Sequence, residues 1–249
     1  DSALLYDTTV HYKRENEYLK YEGRITMIGN FAEAFAGIFG GLLAVYSLRF
    51  PFYAQACVAF IGIPAAFALQ EFNTKGKVQS PVAEIIRIIK YSLFTNWQLC
   101  CNIMYSGIIG AATLTMAWFV QPVLMYLETP TSWFGVIWTV LNLIVGVAAL
   151  YSDKIEHRLG MNKMNLLILV CIAGGYLALA YNLTYWGLAI LALFYIVRGF
   201  ATPVLKGYIN QLTFSDMRAT VLSIRNFVIR LMFAGAAPFV GWLNDMYSL

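Results

Sequence analysis

Charge is what this chain has least of. Asp, Glu, Lys and Arg make up 12% of its 249 residues, against about 25% in a soluble domain. So few charges cannot cover a surface that meets water on every side, and the mean hydropathy of +0.65 agrees. Histidine is nearly absent. His11 and His157 both fall in polar gaps, which excludes a histidine site inside an apolar stretch. The four cysteines, Cys57, Cys100, Cys101 and Cys171, show no CxxC spacing. Adjacent cysteines such as Cys100 and Cys101 rarely bridge, so all four are expected to pack as small residues. No GxSxG, His/Asp cluster or metal-ligand spacing lies in or beside an apolar stretch. No enzyme chemistry, metal or cofactor is therefore expected. The net charge of +4 is gathered in loops and gives no reason to expect a nucleic-acid partner.

What the chain has instead is hydrophobic residues, 60% of the total, in seven stretches at 27–48, 51–70, 99–126, 133–151, 164–181, 184–205 and 219–243. Each is near the ~20 residues a helix needs to cross a bilayer. The fold class expected is all-α, a polytopic transmembrane bundle. The gaps at 1–26, 71–98, 152–163 and 206–218 hold thirteen of the seventeen Lys and Arg residues, whereas the alternate gaps hold only Arg49. Cationic loops stay in the cytoplasm, which predicts a cytoplasmic N-terminal end and anionic inner-leaflet lipid beside the basic loops. That orientation is the reverse of a seven-helix receptor's. No acidic-Arg-Tyr triplet closes the third stretch and no Asn-Pro-x-x-Tyr closes the seventh.

The longest break, 71–98, divides the chain into a two-span block, 1–70, and a five-span block, 99–249. After Pro81, Val82, Ile85, Ile86, Ile89 and Leu93 share one helical face and Glu84, Arg87 and Lys90 the other, the pattern of an amphipathic helix at the membrane surface. Residues 1–26 are expected to be helical and mostly exposed. An odd number of spans behind an abrupt polar start reads as a piece of a larger bundle. The stretches 51–70 and 164–181 carry no ionisable residue and are expected at the periphery. Those at 27–48, 184–205 and 219–243 carry Glu33, Arg198, Arg225 and Arg230, which must turn toward protein or water, and are expected inside.

Five features together resemble the major facilitator superfamily. Ala3-Leu4-Leu5-Tyr6-Asp7, with Tyr21-Glu22-Gly23-Arg24 after it, is similar to that family's connection from helix four to helix five. Gly23, Gly40 and Gly41 match glycines of its antiporter motif, although Ala32 and Ala36 replace two others and Gly37 replaces the proline. Trp118 with Gln121-Pro122 resembles helix seven of bacterial members. Asp153, Arg158 and Gly160 echo the signature loop after helix eight. Arg198-Gly199 through Pro203, then Tyr208-Ile209-Asn210 and Arg218 through Ser223, resembles the region from helix ten to helix eleven. The resemblance implies helices five to eleven of twelve, with a stub of helix four, in a bacterial inner-membrane protein. It further implies a monomer that moves a small solute between two helical halves, with the proton as coupling ion.

Transporters of this kind hold substrate near the midplane, between repeats. Glu33, the one acidic residue inside an apolar stretch, lies about 9 Å beyond Met27 and is the candidate proton carrier; an ion pair with Arg225 or with another helix is the structural alternative. Arg230, about 16 Å beyond Ala219, sits near the centre of the membrane. Arg198 lies about 10 Å inside its span and could line the cavity or reach the headgroups. Trp118 and Gln121 share a face and suit an organic solute, or pack in the bundle and bond a neighbouring helix. Asn142, with Asn102 and Tyr105, is a further cavity candidate. In the family an acidic residue at the end of helix four pairs with an arginine after helix two, which makes Asp1 or Asp7 the counterpart. Small residues at 32, 36, 37, 40 and 41, and Gly235, Pro238 and Gly241, are expected to pack closely. Trp133, Trp186 and Trp242 fall at outer span ends as interface anchors. The alternative function is a non-transporting sensor or scaffold of the same fold.

Overall fold

The computed structural model describes residues 2–47, 49–68, 81–130, 133–181 and 187–247. The regular structure among them is helical: α1 (Ser2–His11), α2 (Tyr18–Tyr46), α3 (Phe50–Phe67), α4 (Pro81–Lys90), α5 (Trp97–Tyr126), α6 (Phe134–Tyr181), α7 (Gly187–Gln211) and α8 (Arg218–Tyr247). Five helices, α2, α5, α6, α7 and α8, are long and apolar enough to cross a membrane, and α3 is a shorter apolar helix. The stretches expected at 133–151 and 164–181 both fall within α6. The break between them is Gly160, at φ 72 and ψ 166. A residue with a Cβ is strained in that left-handed region, so glycine is what lets the chain reverse there.

Side-chain neighbours give the direction of each arm. Trp138 lies on Tyr195, Gly199 meets Val145 and Ala148, and Tyr208 bonds Glu156, so the arm 134–159 runs parallel to α7. Gly175 meets Phe194 and Leu179 meets Gly187, so the arm 161–181 runs antiparallel to it. Helix α5 runs parallel to the second arm, with the Tyr105 and Tyr176 hydroxyls donating to the Asn165 and Ala112 carbonyls at 2.6 and 2.8 Å. It also runs parallel to α8, with Gly107 against Val228 and Gly110 against Ile229. Asn96 starts α5 by accepting from the Leu99 amide at 3.0 Å, which satisfies one of the donors every helix leaves unpaired. Lipid tails are as apolar as leucine, so close backbone approach at small residues holds such helices together. The glycines that serve it here are Gly23, Gly107, Gly110, Gly146, Gly175 and Gly199. At Gly37, Gly40, Gly41, Gly235 and Gly241 none of the described residues lies within 4 Å of where a Cβ would stand.

Two apolar clusters form the interior. The larger joins α5, α6 and α7, with Leu191, Val197 and Ile168 fully buried. The smaller joins Ala3, Ile88, Leu99, Ile103, Ile209 and Val221 and so ties α1, α4, α5, α7 and α8. Ile88 is the buried residue of α4, whereas Val82, Ile85 and Ile86 stay exposed. Helix α3 is exposed along nearly all its described length and α7 is the most buried long helix, as charge placement predicts. Helices α2 and α8 are mostly exposed rather than interior. Each touches the rest of the chain along one stripe and leaves Glu33 and Arg230 on its open side. Cys57 and Cys101 are exposed and do not pack, contrary to expectation. Trp133 and Trp242 are exposed at helix ends; Trp186, Asp1 and the linker residues 69–80 lie outside the described residues.

Candidate functional site

The segment expected to be mostly exposed, 1–26, instead builds the densest polar cluster in the protein. Lys13, at φ 56, turns α1 back onto α2, so that Tyr6 stacks edge-on against Tyr18 at 4.9 Å and Ser2 reaches Glu22. This hairpin docks on α7 and α8 at the end of the bundle where the basic loops gather. Tyr18 and Glu22 are one helical turn apart, as are Lys206 and Asn210, and the antiparallel register matches the two pairs. Lys206 Nζ donates to Glu22 Oε1 at 2.8 Å and Asn210 Nδ2 donates to the Tyr18 hydroxyl at 2.9 Å. Ser2 Oγ donates to the same Glu22 oxygen at 2.7 Å and accepts from Lys206 at 3.0 Å. Glu22 is only 1% exposed. A carboxylate buried so deeply is tolerable only with an opposite charge beside it.

A second lock lies beside the first. Asp7 accepts from Arg218 and from Ser215, the latter at 2.7 Å. Arg218 also donates to the Thr213 carbonyl at 2.9 Å, and its guanidinium lies 4.2 Å from the Tyr6 ring centroid. Burial pushes the Tyr6 hydroxyl pKa above its ordinary value, and the Arg218 charge opposes that shift. Asp7 thus has its partner within this chain, on α8. Arg225 is 6% exposed, donates to Ser106 and Asn226, and does not pair with Glu33. Its charge acts on Glu22 and Tyr18 instead. Below the locks Gly23 presses on the Ala149 carbonyl, and Gly146 receives Phe31.

Farther along α2 the contact ends. Residues 35–39 are all exposed, and the α2 glycines beyond Phe31 face open space. The polar clamp thus lies at the basic end, and beyond Ala34 the side chains of α2 are mostly exposed.

Of the deep candidates, two carry charges that reach one buried group, without a bond between them among the described residues. Glu33 on α2 and Arg198 on α7 both act electrostatically on the Tyr195 hydroxyl, which is buried and has no hydrogen-bond partner among the described residues. Trp138 flanks Tyr195 with ring centroids 6.5 Å apart. Asn142 is buried beside this group, but its amide donates to the Trp138 carbonyl at 3.0 Å, so that donor is spent within its own helix. Asn102 is spent likewise on Gln98, and Tyr105 on Asn165. Trp118, 67% exposed, and Gln121 do share a face of α5, but that face is open and away from the Tyr195 group. Arg230 is exposed, with no ion pair or hydrogen bond among the described residues. Asp153 faces His157 at 3.3 Å, Arg158 is exposed, and Gly160 makes the turn.

Sequence reasoning missed Glu22, Lys206, Tyr18, Asn210 and Tyr195. The first four were counted as loop charges or motif letters. Their matched one-turn spacings, acid with tyrosine on one helix and lysine with asparagine on another, were the available signal. Comparison with curated proteins and with solved structures finds no match. The family model described as Major Facilitator Superfamily matches residues 9–245, nearly the whole length, and with this the chain belongs to the major facilitator superfamily, a family of membrane transporters.

Proposed function

We propose that the protein is a secondary active transporter that moves a small solute by alternating access, and that the conformation described here is its outward-open form. The observation that supports this reading is the asymmetry of α2, locked to α7 through Glu22–Lys206 and Tyr18–Asn210 at one end, while a Cβ at Gly37, Gly40 or Gly41 would meet none of the described residues within 4 Å at the other. The thirteen basic loop residues make the locked end cytoplasmic. Counting α6 as two spans and α3 as one gives seven. Residues 1–70 then belong to the N-terminal helical half and 99–249 to the C-terminal half, joined by 71–98. The remaining helices of a twelve-helix bundle face the open sides of α2 and α8, where Glu33 and Arg230 need partners.

Solute binds near Tyr195, between Glu33 and Arg198, with an orphaned hydroxyl able to bond it. Glu33 relays the coupling proton. Trp118, Gln121 and Arg230 line the opposite wall. The protein is a multi-pass monomer of a bacterial inner membrane, a reading that the helix-seven resemblance supports. The test is flux in proteoliposomes holding the intact protein under an imposed pH gradient, with solutes screened against wild type and Glu33→Gln. Gradient-driven flux lost in Glu33→Gln supports the relay. Flux that persists returns Glu33 to a structural role. No flux with any solute favours a sensor or scaffold of the same fold.

A further inference from the structure

We propose that three cations beside the α2–α6 seam, Lys20 and Arg24 on one helix and Lys154 on the other, hold the phosphate of an anionic membrane phospholipid, and that the bound lipid ties the two helices together at the basic end. The binding stands on its own geometry, while its effect on the clamp rests on the alternating-access reading. All three side chains are exposed. Among the described residues none of them pairs with a carboxylate, because the acids close by are engaged elsewhere. Glu17 pairs with Arg14, Asp153 with His157 and Glu22 with Lys206. Lys20 acts on Glu17 only through space, and Glu17 already accepts two bonds from Arg14. The surplus positive charge at the seam calls for an anion that the described residues do not supply.

Helix register puts the three on one side of the seam. Gly23 meets Ala149 and Ser152, and Gly146 meets Phe31, so α2 and the arm 134–159 run antiparallel with Lys20 level with Lys154. Tyr18 and Glu22 turn toward α7. At 3.6 residues per turn, Arg24 then stands beside Gly23 on the side of α2 away from α7. On the arm, Ala148 and Glu156 face α7, which leaves Leu150 and Lys154, one turn apart, on the side away from it. Arg24 and Lys154 therefore border the same outer groove, and Lys20 stands between them. One helical turn, about 5.4 Å, separates the level of Lys20 from that of Arg24. Side chains of this length can converge across it on one phosphate, each donating to a different oxygen.

Two further observations point to a lipid rather than a free phosphate. The Arg24 guanidinium lies 5.9 Å from the Tyr21 ring centroid, and the Lys154 ammonium lies 5.6 Å from that of Tyr151. Tyrosines at a span end sit at headgroup level, which sets these cations at the depth of a lipid phosphate. One turn farther along the seam the groove is apolar, with Ile28, Val147 and Leu150 exposed in it. A free phosphate gains nothing from that strip, whereas the acyl chains of a lipid cover it. Anionic lipid gathers at the side of the membrane where the basic loops lie. The site draws on both helices and is complete only while they lie side by side. The lipid therefore favours the clamped form by the ratio of its affinities for the two forms.

The experiment is native mass spectrometry of the intact protein in detergent, titrated with phosphatidylglycerol and, separately, with phosphatidylcholine. Wild type should bind the anionic lipid more tightly. Each of Lys20→Gln, Arg24→Gln and Lys154→Gln should weaken that binding about fivefold, and the three together about a hundredfold. The control removes the same charge at exposed positions elsewhere, Lys13→Gln with Lys90→Gln and Lys163→Gln, and should leave the tight binding intact. Equal losses in the two triple variants, or displacement of the lipid by inorganic phosphate, would overturn the site. The effect on the clamp is read in nanodiscs from spin labels at Phe39→Cys and Val136→Cys, both exposed, with the native cysteines replaced. Phosphatidylglycerol should enlarge the population with the longer distance at this end, and should not do so in the site triple variant. Populations that ignore a lipid the site binds would overturn the tie between the helices. A single distance in every lipid would overturn alternating access, and the binding titration would then decide the lipid site alone.

Discussion

On the alternating-access proposal, replacing Gly23 with alanine should open the lock at the basic end of the bundle, whereas the same change at Gly199 should not. At both positions a Cβ would overlap backbone that cannot swing away. At Gly23 it would run into the Ala149 carbonyl and lie 3.1 Å from Ser152 Oγ, and at Gly199 it would lie 2.6 Å from both the Val145 carbonyl oxygen and the Ala148 Cβ. Ordinary contact needs about 3.5–4.0 Å, so each helix pair must separate by about 1 Å at that point. Overpacking of this kind costs about 1–3 kcal/mol. Gly23 sits between helices that part when the lock opens, so its cost falls on the shut form alone. At about tenfold per 1.4 kcal/mol, the open-to-shut ratio should rise roughly 5- to 140-fold. Gly199 sits between α6 and α7, which the proposal assigns to one helical half, so its cost should appear as a lower melting temperature with an unchanged ratio. Spin labels at Lys20→Cys and Gln211→Cys, both exposed positions, one on α2 and one at the end of α7, read the ratio in the intact protein with its native cysteines replaced, and thermal unfolding in detergent reads the stability. A Gly23→Ala protein with the wild-type ratio, or a Gly199→Ala protein that opens as far, would refute the assignment of α2–α6 as the moving contact.

Other substitutions should separate charge from shape. Lys206→Met alone leaves Glu22 buried with only Ser2 to bond it, and should destabilise the shut form by about 3 kcal/mol, while Glu22→Gln with Lys206→Met should recover most of that loss, since a buried pair replaced as a unit is often neutral. A double-mutant cycle on the label distances measures both. Asp7→Asn removes the carboxylate from Arg218 and should cost the shut form about 1.5–3 kcal/mol, the range for a hydrogen bond to a charged group, read with the same labels. Gly160→Ala should lower thermal stability by about 1–3 kcal/mol through its positive-φ extended backbone alone, with no change in the label-distance ratio. Tyr195→Phe, which deletes the orphaned hydroxyl, should weaken solute binding without weakening the fold, checked by ligand titration beside a melting curve.

Much of the bundle was legible because a membrane imposes a simple code. Apolar runs of the right length, and Lys and Arg in alternate gaps, located every long helix and the amphipathic α4. Gly160 was marked as a motif residue, and its left-handed conformation explains why a glycine must stand there. The sequence was less informative about helix ends. Counting 27–48 as a span put Tyr18 and Glu22 in a loop, although α2 begins at Tyr18 and its first turns are buried. Burial at a helix end depends on what docks there, and the α1 hairpin that covers Glu22 has no signature in hydropathy. The deep candidates divide for a related reason. Depth follows from residue count along one helix, but facing does not. The antiparallel register of α2 and α7 brings Glu33 level with Tyr195 and Arg198, yet Glu33, like Arg230 and Trp118, lies on an exposed face. Asp7 found Arg218 because α1 folds back across the start of α8, a long-range contact that no local pattern encodes.

The measurement that bears most directly on alternating access is a pair of distances taken on the same preparation. One is Lys20 to Gln211 at the locked end, and the other is Phe39 to Val136 at the parted end, all four positions being exposed. As pH, Gly23→Ala or solute shifts the populations, the first distance should lengthen while the second shortens, in fixed proportion. Distances that stay fixed, or that lengthen together, would contradict a rocking bundle and leave the clamp as a static joint.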